Sequence, residues 1–305
     1  MGKLAFVFAG QGAQTIGMGQ DLYEKYNIAK EIFDMSGDIQ NLCFEGPKEE
    51  LDITINTQPA VFLMDMVCAK ILNEKGINAE GFAGFSLGEV PAACFAGLMS
   101  MEQAFSFVNK RAQVMQSCSE KNKGCMFAVL KLTAIQVEEI CKKIPGAYPV
   151  NYNSPEQTVV ACAENVSNKL EEAVIEAKGK PIKLAASGAF HSPFMNDASE
   201  KAAEYLKKES FKETNIPLYS NYTAKPYAKS MLSPDEQMAK QINHPVLWQK
   251  TITNMTNDGF DTFVEVGPGK TLSGLIKKIA PDKHIYNVSD IISLDKTVEE
   301  LIGKK

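Results

Sequence analysis

The sequence predicts an α/β fold: a mostly parallel sheet with helices on both faces, interrupted by a small ferredoxin-like unit. Three observations predict it. Short apolar runs at 4–8, 81–85 and 260–266 alternate with helical patterns, the order that builds parallel sheets. Between 126 and 187 the order becomes βαββαβ, the ferredoxin-like arrangement. The chain has 305 residues, enough for one large domain and one small. The predicted division is a large domain from 1–125 and 188–305, with 126–187 inserted into it.

The elements follow in order. Residues 4–8 read as a buried strand ending at the turn GQG, and helical patterning runs from 21 to 35. A helix is predicted from Thr57, with Pro59 in its first turn, to Glu74, where Gly76 stops it. GFAGF at 81–85 is the next strand, followed by Ser86 and the helical run EVPAACFAGLM. Ser100 and Gln103 form a capping box for a helix over 101–117. The inserted unit reads as strands at 126–131, 147–152, 157–163 and 181–186, with helices at 134–143 and 165–178. The large domain resumes with a strand at 215–221, a helix near 246–257 and a strand at 260–266. GPGKTLSGLI then gives a turn and a last helix.

Composition narrows the function classes. Hydrophobic residues make up 45% and charged residues 23%, ordinary for a globular protein able to bury its own core. A net charge of -5 argues against a nucleic-acid binder, which carries a basic face. Seven scattered cysteines without a C-x-x-C pair suit neither a disulfide framework nor a zinc site, and fit a reducing cytoplasm. The start MGKLAFVFAG is better read as a strand than as a signal peptide, and Phe6 stands where myristoylation requires Ser or Thr. No apolar stretch approaches the roughly 18 residues of a membrane span. A soluble protein without metal or membrane contact is expected.

The stretch GFSLG places Ser86 between a strand and a helix, flanked by Gly84 and Gly88. Such a turn lifts a serine above the sheet edge, where the helix N-terminus and the N–H of Leu87 face a developing oxyanion. The plainer alternative is a structural glycine-rich turn. A serine nucleophile needs a base, and the chain has only three histidines: His191, His244 and His284. His191, in SGAFHSPFM where the chain returns to the large domain, is the best placed; otherwise it is a satisfied loop histidine. No Asp lies between Ser86 and His191, and the glutamates there sit mostly on helices among solvated neighbours. A dyad is therefore simpler than a triad, with a backbone carbonyl able to hold the imidazole tautomer. Arg111 shares a helical stripe with Ala104, Val108 and Met115. It is either a snorkelling edge residue or a guanidinium aimed into the site to take a carboxylate.

These motifs together resemble the malonyl-CoA:acyl carrier protein transacylase family, the acyltransferases of fatty acid and polyketide synthesis. The resemblance rests on FAGQGAQTIGMG at 8–19, TQPA at 57–60, GFSLGE at 84–89, KRAQVMQ at 110–116, NYNSPEQTVVA at 151–161, AFHSPFM at 189–195, HPVLW at 244–248 and EVGPGKTLSGL at 265–275. It implies a hydrolase-like large domain with an inserted ferredoxin-like domain. It further implies Ser86 as nucleophile, His191 as base, backbone N–H groups of Gln11 and Leu87 as oxyanion hole, and Arg111 as the seat of the malonyl carboxylate. A backbone carbonyl near Leu247 would orient His191. The family usually has His where this chain has Phe85, which bears on acyl selectivity and rate; Phe190 is typical of malonyl-selective members.

The resulting expectation is ping-pong transfer of malonyl from malonyl-CoA to the phosphopantetheine thiol of acyl carrier protein, for fatty acid synthesis. No cofactor is implied beyond the coenzyme A thioester as substrate, and a monomer is expected. The alternatives are a polyketide-synthase acyltransferase, an editing hydrolase on the same fold, or a carrier-docking module without activity. Lys178, Lys180 and Lys183, or Lys277 and Lys278, are candidate basic patches for an acidic carrier protein.

Overall fold

The computed structural model describes residues 2–185 and 188–303. Its strands are, in chain order, β1 (Lys3–Phe8), β2 (Gly81–Gly84), β3 (Gly124–Leu130), β4 (Ala147–Ser154) and β5 (Gln157–Ala163). They continue with β6 (Lys180–Lys183), β7 (Leu218–Tyr219), β8 (Phe260–Val266) and β9 (His284–Val288). A five-stranded sheet has the order β7-β2-β1-β8-β9, all neighbours parallel. A four-stranded antiparallel sheet has the order β4-β5-β3-β6. This is the mixed α/β architecture that the sequence predicts.

Strand alternation explains the helices on both faces. Along β1, Phe6 and Phe8 point to one side and pack with Phe82 and Phe95. Ala5 and Val7 point to the other and meet Trp248, Ile252, Phe263 and Ile276. The helix Thr54–Glu74 crosses the first face and is buried almost all round, as expected of a helix with apolar neighbours on every side. Beside it runs Met101–Lys121, opened by the capping box of Ser100 and Gln103. In the antiparallel sheet Phe127, Val129 and Val160 pack under the helices Ala134–Lys142 and Ser167–Glu176. Met126, Ala128, Val159 and Ala161, on its opposite face, join the main core. Its strand β4 is also tied to the large sheet's side of the molecule. Val246 N–H donates to the Val150 carbonyl (2.8 Å), and Tyr152 N–H to the Val246 carbonyl (2.9 Å).

Several boundaries differ from the sequence reading. The patterning at 21–35 divides at Tyr26, whose extended backbone separates Gln20–Lys25 from Asn27–Asp34. The helix expected from Thr57 begins at Thr54, because the Thr57 hydroxyl turns back onto the Leu51 carbonyl (2.5 Å) instead of capping. The strand expected over 215–221 shrinks to Leu218–Tyr219, since the Thr214 hydroxyl takes the Ile216 N–H and Ser220 turns to Lys225. Strand β9 and the helices Asn196–Leu206, Pro234–Asn243 and Ile291–Ile302 fall where the sequence reading assigned nothing. The end of the strand read at 181–186, and residue 187 at the domain boundary, lie outside the described residues. No helix among the described residues is long and apolar enough to cross a membrane.

Candidate active site

The carboxyl ends of β1 and β2 lie side by side, and the turns that follow them meet. After β2 the chain enters a 3₁₀ turn, Ser86–Gly88, and then the helix Glu89–Phe95. Ser86 has a φ of 54°, the left-handed region that costs a β-carbon-bearing residue strain. The flanking glycines are needed for contact rather than for φ. A β-carbon on Gly84 would lie 1.9 Å from the Gly88 carbonyl carbon, and one on Gly88 would lie 2.2 Å from the Phe8 carbonyl oxygen. The elbow is thus pressed onto itself and onto β1 (the close approach that only glycine allows).

Asn221 holds the elbow in that conformation. Ser86 N–H donates to Asn221 Oδ1 (2.7 Å), and Asn221 Nδ2 donates to the Gly84 carbonyl (2.6 Å). Two further anchors reach Ser86 from helices distant in sequence. Gln241 Nε2 donates to the Ser86 carbonyl (2.5 Å), and Arg111 Nη2 to Ser86 Oγ (3.2 Å).

His191 meets the serine directly: Nε2 is 2.7 Å from Ser86 Oγ. Its Nδ1 is 2.8 Å from the carbonyl oxygen of Gln241, which can only accept, so Nδ1 carries the hydrogen. Nε2 then presents a lone pair to the serine O–H. Burial, with the charge of Arg111 second, lowers the His191 pKa to about 4, so the ring is neutral at physiological pH. His191 also has a left-handed φ, 59°. The orienting carbonyl therefore belongs to Gln241, not to Leu247. The Leu247 carbonyl is already used by its own helix, accepting from Thr251 N–H (2.9 Å) and Thr251 Oγ1 (3.0 Å). His244 instead bonds Lys240 and Asn243, and His284 is exposed on β9.

Arg111 is 1% exposed and does not snorkel. Its guanidinium donates to Gln58 Oε1 (2.8 Å), Gln241 Oε1 (2.9 Å) and Ser86 Oγ, all neutral acceptors. Burial lowers its pKa to about 10, leaving it charged. Among the described residues no carboxylate contacts it, and a buried cation so placed is a strong attractor for an incoming one.

A cavity of about 460 Å³ opens in front of Ser86, between the large sheet's carboxyl end and the antiparallel sheet. Gln11, Phe85, Ser86, Phe190 and His191 line it, with Met126 and Asn153 across the gap. Gln11 sits in the turn after β1, its side chain bonded to Thr54 Oγ1 (3.1 Å). Phe85 packs edge-on against Trp248, with ring centroids 5.5 Å apart. Leu87, next to Ser86, is fully buried. The structure thus gathers Gln11, Phe85, Ser86, Leu87, Arg111, Phe190 and His191, and leaves Leu247 aside.

Four partners escaped the sequence reading: Gln58, Glu89, Asn221 and Gln241. Glu89 lies within the elbow motif, where the sequence places the glutamates mostly among solvated neighbours, whereas it is 1% exposed. Gln58 lies within TQPA; its buried, single-glutamine setting in an apolar helix was the available signal. Asn221 and Gln241 had none beyond residue type.

Ser86, His191 and Arg111 thus meet at the carboxyl end of a parallel sheet, behind a cavity that two sheets enclose. The acyl transferase domain model matches residues 5–300. The chain belongs to the acyl transferase family. It is similar to the malonyl CoA-acyl carrier protein transacylase of Bacillus subtilis strain 168, at 34% identity over 99% of this chain and 98% of that one. The crystal structure of the transacylase of the same name from Clostridium perfringens matches with a TM-score of 0.95 at 36% identity, covering 99% of this chain and 98% of that one. A malonyl-transacylase in complex with a type II PKS acyl-carrier protein matches with a TM-score of 0.91 at 30% identity, covering 98% and 99%.

Proposed function

We propose that the protein transfers malonyl from malonyl-CoA to the phosphopantetheine thiol of acyl carrier protein, through a malonyl ester on Ser86, in fatty acid synthesis. The names of its relatives support the substrate pair. The observation that carries the reading is Arg111, a buried guanidinium without a contacting carboxylate and 3.2 Å from Ser86 Oγ. An acyl group that ends in a carboxylate completes it.

His191 Nε2 takes the Ser86 proton as Oγ attacks the thioester carbonyl. The oxyanion is held by backbone N–H groups of Gln11 and Leu87, a role supported by the place of Gln11 on the cavity wall and of Leu87 in the turn after Ser86. The C–S bond then breaks, and the departing coenzyme A sulfur takes the proton back from His191. In the second half the carrier thiol gives its proton to His191, its sulfur attacks the ester, and Ser86 leaves with that proton. This chemistry calls on no metal or prosthetic group. Seven free cysteines support a cytoplasmic location.

An editing hydrolase on the same fold would handle acyl groups without a distal charge, for which Arg111 is a penalty. The test is kcat/KM for malonyl-CoA and acetyl-CoA. Arg111→Ala should cut malonyl transfer and raise acetyl transfer relative to it. Arg111→Lys should restore malonyl transfer only in part, because an ammonium lacks the planar fork. An unchanged malonyl-to-acetyl ratio in Arg111→Ala would remove the carboxylate seat from the account.

A further inference from the structure

Glu89 is a carboxylate in a setting where carboxylates are rare. It opens the helix Glu89–Phe95, three residues beyond Ser86, and is 1% exposed. Both oxygens are occupied. Tyr227 O–H donates to Oε1, while Asn221 N–H (2.8 Å) and Gln241 Nε2 (3.3 Å) donate to Oε2. The same Gln241 amide accepts from Arg111 Nη2 through Oε1 (2.9 Å). One side-chain amide therefore lies between a buried anion and a buried cation that do not touch.

The charged and titratable groups around Glu89 are few. Arg111 faces it from the helix Met101–Lys121, and Tyr227 from the turn Tyr227–Lys229. His191 bonds the Gln241 carbonyl and is neutral at working pH. Lys70, on the helix Thr54–Glu74, lies over the Phe95 ring at the far end of Glu89's own helix. Gln241 and Asn221 complete the shell as neutral groups.

We infer that Glu89 is the counter-charge of Arg111 before substrate binds, and that it takes up a proton when an acyl carboxylate docks on that arginine. Two anions then never share one cation in a dry site. The inference rests on Arg111 as the seat of the acyl carboxylate. Glu89 acts through Gln241 and Arg111 and is a positioning residue for charge.

Docking a second carboxylate one amide away from the first penalises the ionised pair, and the weaker acid binds a proton. Glu89 is close to that point already. Burial pushes it up to about 7, against the bonds from Tyr227, Asn221 and Gln241 and the charge of Arg111, which hold it down. The sign follows from linkage. Below about pH 7 Glu89 is neutral beforehand, so docking needs no proton. Above it, docking takes one from solvent, and preference for the carboxylate-bearing thioester falls by up to about tenfold per pH unit. Acetyl-CoA brings no second anion. The coenzyme A portion is common to both thioesters, so its titrations cancel in their ratio.

The experiment measures the ratio of kcat/KM for malonyl-CoA to that for acetyl-CoA between about pH 6 and 9. In the wild type the ratio should be level on the acid side and fall above neutrality. In Glu89→Gln, which has no proton to gain, it should be level throughout. Tyr227→Phe removes a donor that favours ionised Glu89, so its fall should start at higher pH and its ratio at pH 8 should exceed the wild-type value several-fold. A level wild-type ratio, or a wild-type slope retained in Glu89→Gln, overturns the inference. If Glu89→Gln does not fold, an unmoved break in Tyr227→Phe overturns it. Failure of this inference leaves malonyl transfer through Ser86 and the Arg111→Ala effect in place; failure of the carboxylate seat shows in Arg111→Ala itself.

Discussion

Ser86 meets groups of three kinds: the His191 imidazole at 2.7 Å, a backbone clamp from Asn221, and the charged Arg111 behind it. Each supports a separate prediction. Ser86→Ala should abolish the acyl-enzyme and lower transfer by several orders of magnitude. His191→Ala should slow acylation by about 10²–10⁴-fold while leaving thioester binding intact, because the base acts on a proton rather than on the carboxylate. His244→Ala and His284→Ala should not slow it comparably, and a larger loss in either would reassign the base. The buried His191 ring also predicts a pH profile. With its pKa lowered to about 4, the base stays unprotonated at pH 5, and acylation from acetyl-CoA fails only as pH falls through about 4. A loss centred near the ordinary histidine value would contradict the burial. Ser86, His191 and Arg111 were legible because residue type and scarcity marked them. Gln241 was not: it orients His191 through a backbone carbonyl, which any residue carries, and it lies 155 positions from the serine whose carbonyl it holds.

The strand–elbow–helix element was readable from G-x-S-x-G, but the reason for the glycines was not. The sequence marks a glycine-flanked turn that lifts the serine; the structure shows that the left-handed φ falls on Ser86, while Gly84 and Gly88 supply close contact. Gly88→Ala should therefore destabilise the protein by on the order of 2–3 kcal/mol and reduce acylation, since the Phe8 carbonyl cannot retreat without moving β1. Thermal unfolding and acyl-enzyme formation check both halves, and an unchanged Tm would mean that the elbow relaxes freely. Asn221→Ala should cost about 1–3 kcal/mol through the loss of its bonds to the Ser86 N–H and the Gly84 carbonyl, with acylation falling as the strained serine loses its restraint. Other elements were legible where local signals were strong, as with the capping box at Ser100 and Gln103. The helix Pro234–Asn243 carries a comparable signal, Ser233 with Glu236, and was missed among polar residues. The two-residue β7 offered too little periodicity to bound it.

At the scale of the molecule, fold class was readable from alternation, but strand order was not. The order β7-β2-β1-β8-β9 brings β1 between β2 and β8, strands far apart in sequence, and so sets the GQG turn beside the serine elbow. The antiparallel sheet, tied through Val150, Tyr152 and Val246, closes the cavity from the other side. Two sheets thereby enclose a cavity with Ser86 on its wall and the buried Arg111 bonded behind it. The most direct measurement is the intact mass of the protein after malonyl-CoA is added, followed after carrier protein bearing its phosphopantetheine thiol is introduced. The account predicts a malonyl adduct on Ser86, absent in Ser86→Ala, stable in buffer and discharged onto the carrier thiol. An adduct lost to water as fast as to carrier protein, or one that forms in Ser86→Ala, would contradict it.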